Sequence, residues 1–308
     1  MRIVSLLPAA TEIVCALGLR GELVGISHDC DWPPGIREEK EIVSEAAVHE
    51  GMSSAEIDQT AKELLHQGLS VYHLDTEKLR ALKPDLILTQ KLCEVCAPSF
   101  TDVQKAAEIL DKEPEIISLE PANLDEIWDT IRLVGEVTGR ISHAHRLIAK
   151  LRKRIERVRA RTEALERHPR TLALEWLEPL YVGGHWVPEV IELAGGEAMN
   201  PPGEPSYEIT WDDVETFDPE VIVLMVCGFS PERTLEEIDL LLEYEGWEEL
   251  RAVKNGDVYV VHGSHYFNRP GPRVVIGLEI LAKILHPGLF PDIRVPKGAI
   301  MRLEEAMQ

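Results

Sequence analysis

Residues 141–167, ISHAHRLIAKLRKRIERVRARTEALER, constrain the fold more than any other stretch. Apolar side chains recur at Ala144, Leu147, Ile148, Leu151, Ile155, Val158 and Leu165, a helical spacing with no Pro or Gly inside it. A helix of that length runs roughly 40 Å, longer than the usual crossover of an α/β unit. Gly139 precedes it, and His168-Pro169 is placed to close it. On each side lies a half of similar length with strand and helix signals. The expected organisation is an N-terminal α/β lobe over 1–140, a bridging helix over 141–167 and a C-terminal α/β lobe over 168–308. That shape favours a ligand cleft between lobes over a single-domain enzyme.

Strands alternate with helices in both halves, which implies mainly parallel sheets. The fold class expected is therefore α/β, two Rossmann-like lobes joined by one long α-helix. The halves echo each other weakly. Lys83-Pro84-Asp85-Leu86-Ile87-Leu88 and Asp218-Pro219-Glu220-Val221-Ile222-Val223 are both Pro-entered buried strands followed by a polar, Cys-bearing loop. Ligands of open parallel sheets sit beyond the carboxyl ends of the strands. That rule selects the loops after Leu6, Ile26, Thr89, Glu175, Val226 and His262.

The net charge of −22 excludes one partner class. The long helix holds nine Lys or Arg against three Glu, so it is +6 and the rest of the chain is −28. An acidic body does not suit nucleic acid, and the basic stripe reads as a solvated face that offsets it. No run of eighteen apolar residues is present to span a membrane. Pro8 and Glu12 interrupt the N-terminal apolar run, and Ile3-Val4-Ser5-Leu6 reads as a core strand rather than a signal peptide. The expected location is cytoplasmic, with a periplasmic or extracellular site as the alternative for a chain whose leader has been removed. Five cysteines, Cys15, Cys30, Cys93, Cys96 and Cys227, are an odd number without the spacing of a secreted disulfide scaffold. Cys15 sits in an apolar helical run and reads as buried filler.

The selected loops carry the candidate ligand contacts. Ser5 and Pro8 lie at the first strand-to-helix turn, where free N–H groups make a modest anion site. His28 to Trp32 (His-Asp-Cys-Asp-Trp) places several potential ligands in a row. Gln90 leads into Cys93-x-x-Cys96. That pair reads as half of a zinc site, as a redox couple, as two loop thiols facing a cleft, or as packed thiols without chemistry. The second half supplies Glu175, Trp176, His185, Trp186, Cys227, His265, Tyr266 and Arg269. So many aromatics and imidazoles suit a broad apolar ligand with a metal or acidic groups. Metal-ligating candidates are His28, Cys30, Cys93, Cys96, His185 and His265. Gln90, Cys93 and Cys96 are expected to face Trp176, His185, Trp186 and Tyr266 across the gap. No phosphate loop, dinucleotide fingerprint, nucleophile elbow or zinc-protease motif occurs, so no catalytic residue is assigned.

Longer stretches carry a family resemblance. They are Arg2-Ile3-Val4-Ser5-Leu6 with Pro8-Ala9-Ala10-Thr11-Glu12, Ala16-Leu17-Gly18 leading to Val24-Gly25, and Lys83 to Leu88. Beyond the long helix come Gly195-Gly196, Asp218 to Ile222, Ala252 to Tyr259, and Arg269-Pro270-Gly271-Pro272-Arg273. In order and spacing they resemble the helical-backbone (class III) substrate-binding proteins of ABC importers, which bind cobalamin, siderophores and haem. The chain looks most like the cobalamin-binding branch, especially leaderless members with Gln90-x-x-Cys93-x-Val95-Cys96. The resemblance implies two α/β lobes on one helix with little hinge motion. It implies non-catalytic binding of a metal chelate, a corrinoid such as cobalamin first, with no obligatory cofactor and an ABC permease as the partner in transport. The residues alone also admit a cytoplasmic metal- or thiol-dependent enzyme built on Cys93 and Cys96.

Overall fold

The computed structural model describes residues 1–49, 51–90, 100–108, 110 and 112–307. The chain divides into two compact units. Unit 1 comprises Met1–Met52, Glu56–Pro121 and Asp125–Ala149; unit 2 comprises Ser53–Ala55, Ala122–Leu124 and Lys150–Gln308.

Unit 1 opens with β1 (Ile3–Ser5), α1 (Pro8–Ala16) and β2 (Leu23–Ile26). The short α2 (Ile36–Glu39), β3 (Glu41–Ile42) and β4 (Ser44–Ala46) follow. Then come α3 (Ser54–His66), β5 (Tyr72–Leu74), α4 (Thr76–Leu82), β6 (Leu86–Thr89), α5 (Phe100–Glu108), β7 (Glu115–Ser118) and α6 (Leu124–Val137). Five strands form one sheet in the order β3-β2-β1-β6-β7. Every pairing in it is parallel, and Ser5 lies opposite both Ile26 and Leu88. β4 and β5 make a separate antiparallel pair. Apolar runs rather than alternation mark β1 and β6 because both faces are covered. Val4, Leu6, Ile87, Leu79 and Val103 meet in one core. Asp75 caps α4 by accepting from the Lys78 N–H at 2.9 Å.

The bridging helix is α7 (Ile141–Thr162). Gly139 enters it at φ +68°, which a side chain would resist. Ala144, Ile148, Leu151 and Val158 are its buried stripe. The helix stops at Thr162 instead of running to residue 167. Thr162 is buried and its hydroxyl donates to the Leu193 carbonyl at 2.9 Å, so tertiary docking ends the helix where local propensity would continue it. The basic stripe is partly paired. Arg154 forks onto Glu279 at 2.7 and 3.0 Å, and Arg157 and Arg161 both hold Asp292.

Unit 2 contains β8 (Arg170–Trp176), β9 (Tyr181–Val182), α8 (Val187–Leu193), β10 (Glu197–Ala198), β11 (Tyr207–Glu208), β12 (Val221–Leu224), β13 (Val258–Val261) and β14 (Ile300–Arg302). Their order is β11-β9-β8-β12-β13-β14, with β10 also on β8. The β8-β12-β13 centre is parallel, whereas the pairings β8-β9, β9-β11 and β13-β14 are antiparallel. Each of the four residues of β12 is buried, as the Pro-entered run predicts. Two carboxylates of this unit sit on helix starts. Glu237 accepts the Ser54 N–H and Glu189 the Leu124 N–H, where the helix dipole favours negative charge.

The fold is thus two α/β lobes with mainly parallel central sheets, joined by one long helix. Among the described residues no helix is long and apolar enough to cross a membrane.

Candidate functional site

In unit 1 the candidates gather at the carboxyl edge of the sheet. Ser5 ends β1, Pro8 opens α1, His28 and Cys30 follow β2, and Gln90 follows β6. Ser5 and Cys30 are fully buried. The Thr11 hydroxyl donates to Ser5 Oγ at 2.8 Å and lies 3.1 Å from Cys30 Sγ; Ser5 donates on to the Leu7 carbonyl at 3.0 Å. One threonine proton serves one acceptor, so the Cys30 thiol supplies the other link. Both residues make these hydrogen bonds inside the turn.

His28 is half-buried. Its Nδ1 is 2.9 Å from Ser44 Oγ, its Nε2 is 3.5 Å from Asp29 Oδ1, and its ring lies 5.1 Å from that of Tyr72. Nδ1 and the Ser44 hydroxyl share one hydrogen bond, and Nε2 faces the Asp29 carboxylate. Ser44 is buried and also accepts the His28 N–H, which makes it a brace for the imidazole and not a nucleophile. Cys93 and Cys96 lie outside the described residues.

In unit 2 the ends of β8, β12 and β13 bring Glu175, Trp176, Cys227, His265 and Tyr266 to one edge. The Cys227 N–H donates to the Glu175 carbonyl at 3.0 Å, and the Gly228 N–H to Ser264 Oγ at 2.8 Å. Trp176 is half-buried, with its indole N–H shared between the carbonyls of Ser54 and Glu178 and its ring 5.4 Å from Phe229. The Arg233 guanidinium sits 4.5 Å from the Phe229 ring centre and pairs with Glu237. His265 stacks on His262 at 3.4 Å, and Tyr266 stands edge-on to both. Arg273 donates twice to the His265 carbonyl and lies 5.2 Å from the Tyr266 ring, fixing this turn. Arg269, half-buried, follows two residues beyond Phe267.

His185 and Trp186 follow β9 rather than the end of a parallel strand. β9 is antiparallel to β8, so Tyr181 lies beside Trp176 while the Gly183 N–H reaches back to the Ala173 carbonyl. The chain thus travels away from the strand end before it reaches His185. His185 holds φ +53°, its N–H on the Glu204 carbonyl and its carbonyl under the Gly203 N–H. Burial pushes its imidazole pKa below the usual range. Trp186 is 6% exposed and donates its indole N–H to the Phe267 carbonyl at 2.6 Å. It is a packed anchor, because its polar tip is used internally. Sequence reading counted it with the strand-end aromatics because it could not see that β9 reverses. The sequence singles out neither Tyr72 nor Arg233. The His262-x-x-His265 spacing was the one signal that pointed to such a stack.

Among the described residues no three His, Cys, Asp or Glu side chains converge as a metal-holding group. None of the described candidates His28, Cys30, His185 and His265 belongs to such a group. The strand end of unit 2 offers aromatic faces and imidazoles.

The family described as periplasmic binding protein matches residues 3–264. The chain belongs to this family. As a periplasmic binding protein it is 26% identical over 283 residues to the vitamin B12-binding protein of Vibrio cholerae, covering 90% of this chain and 86% of that one. The solved structure of the periplasmic vitamin B12 binding protein of Vibrio cholerae superposes with a TM-score of 0.67 at 24% identity, over 93% of this chain and 96% of that one. A periplasmic heme-binding protein from Roseiflexus sp. RS-1 gives 0.69 at 22% identity, over 94% and 98%. These two likenesses speak to the fold, which the periplasmic binding proteins share with this chain across nearly its full length.

Proposed function

We propose that the chain is the substrate-binding protein of an ABC importer and that it binds a metal chelate without chemistry, a corrinoid such as cobalamin first. The observation that carries the reading is the relative named for vitamin B12 binding, matched over 90% of this chain. The aromatic and imidazole strand end of unit 2, with Trp176, Phe229, His262, His265 and Tyr266, supports it, since a corrin ring presents a broad apolar face with a metal at its centre. The partner would be an ABC permease. On this proposal the protein works outside the cytoplasm, as the names of its relatives say of them, and the cytoplasmic expectation drawn from the N-terminal residues finds no support among them.

Calorimetric titration with cyanocobalamin, cobinamide and haem tests the proposal. Saturable one-to-one heat with a corrinoid is the expected result. Absence of heat with both corrinoids would reject the corrinoid reading, and heat with haem alone would move the chelate class. Substitution of Trp176 at the strand end of unit 2 is expected to weaken binding of the ligand.

A further inference from the structure

The solvent face of α7 is a row of cations. Within Ile141–Thr162 the helix holds eight Lys or Arg against one Glu, so it is +7 and the rest of the chain −29. At 3.6 residues per turn, Arg146, Lys150, Lys153 and Arg157 fall within about 60° of one another and span about 16 Å along the axis. All four are exposed, and the buried Ala144, Ile148, Leu151 and Val158 lie on the opposite side of the helix. No Asp or Glu interrupts the row, and the exposed small residues Ser142, Ala149 and Ala160 flank it. Long cationic side chains between small neighbours meet one flat surface together.

Internal pairing does not account for the row. Arg154 is held by Glu279, Arg159 by Glu156, and Arg157 and Arg161 share Asp292. Arg146, Lys150 and Lys153 are exposed and make no ion pair among the described residues. Nor does the row serve the helix. Arg146 and Lys150, like Lys153 and Arg157, are like charges four residues apart, a spacing that destabilises a helix.

We infer that this face of α7 docks reversibly on an anionic membrane surface, with the row on the lipid phosphates. Charge complementarity selects a polyanion. The choice of a membrane rests on the importer reading above, since an importer's permease sits in one. At physiological salt, charges act over only about 8 Å. A row held against the surface is then felt in full, while acidic groups farther from it are screened. Each basic residue near an anionic bilayer adds attraction. The row offers no large apolar side chain, so the contact orients the protein beside the membrane and does not anchor it.

The test sediments the full chain, without any corrinoid, with vesicles of phosphatidylcholine alone or mixed with phosphatidylglycerol. Binding to the mixed vesicles only is expected, and it should fall about tenfold when salt rises from about 0.05 to about 0.5 M. Arg146→Gln, Lys150→Gln and Lys153→Gln together are expected to lower that binding by at least about tenfold. If this triple variant does not fold, Lys150→Gln alone serves, with an expected loss of about fivefold. Arg37→Gln, Arg294→Gln and Lys297→Gln together lower the net charge equally at exposed positions outside α7 and are expected to bind as wild type. Equal losses in the two triple variants, equal binding to both kinds of vesicle, or binding to neither overturns the inference. Retention on heparin without vesicle binding also overturns it, in favour of a soluble polyanion. No corrinoid is present in these arms, so their failure leaves chelate binding to be decided by calorimetry.

Discussion

Two side chains of unlike environment give tests at the scale of single residues. Cys15 is the half-buried thiol of α1, and burial pushes its pKa up to about 11. In the unfolded chain it titrates near 8.5. A raised folded pKa gives stability that is fully present below about pH 8.5 and is lost as pH rises through the folded value near 11. Native protein at pH 8 should therefore leave Cys15 unalkylated, and denatured protein should label it, as peptide mass spectrometry would report. Rapid native labelling would contradict the burial. The two tryptophans separate binding from folding. Trp186→Phe leaves the Phe267 carbonyl without its donor, which should lower stability by about 1–3 kcal/mol in denaturant titration with little change in ligand affinity. Trp176→Ala removes a half-exposed aromatic at the strand end and should weaken corrinoid binding by about 1–3 kcal/mol in calorimetry. Equal effects of both on binding would return Trp186 to the ligand.

Among the elements, α7 shows how a periodic pattern is edited by packing. Its buried stripe, with Ala144, Ile148, Leu151 and Val158, is the one that the spacing predicts. Its end at Thr162 and its pairing with Asp292 belong to tertiary contacts that no local window contains. Arg161 and Arg157 hold the Asp292 carboxyl well below the usual range. A depressed folded pKa gives stability present above the unfolded value of about 4 and lost as pH falls through the folded one. Asp292→Asn should speed amide exchange over Arg157–Thr162 at pH 7 and abolish the pH dependence of that exchange at the acid end. Unchanged exchange would show that the apolar stripe alone holds the last turns.

For the molecule as a whole, a ligand that binds only the folded chain must raise its unfolding temperature. A hundredfold excess of cobinamide over its dissociation constant should add about 2.7 kcal/mol, read as a concentration-dependent shift in thermal unfolding. A melting curve indifferent to cobinamide and to cyanocobalamin would count against a corrinoid. At this scale the sequence alone determined the alternation of strands and helices, the two halves and the helix between them. Those features rest on periodicity and on Pro-entered apolar runs such as Val221–Val226, which depend on near neighbours in the chain. The gathering of Ser5, His28 and Gln90 at one sheet edge was also legible, because parallel strands put all their carboxyl ends on one side. What only the tertiary structure decided was pairing. The antiparallel pairing of β9 on β8 precedes His185 and Trp186, and hydrogen bonds join Thr11 to Ser5 and Cys30. The docking of Trp186 on Phe267 made a core residue of an apparent anchor. Each of these contacts joins residues distant in sequence, so no local pattern encodes it, and its energy appears only when the chain has closed on itself.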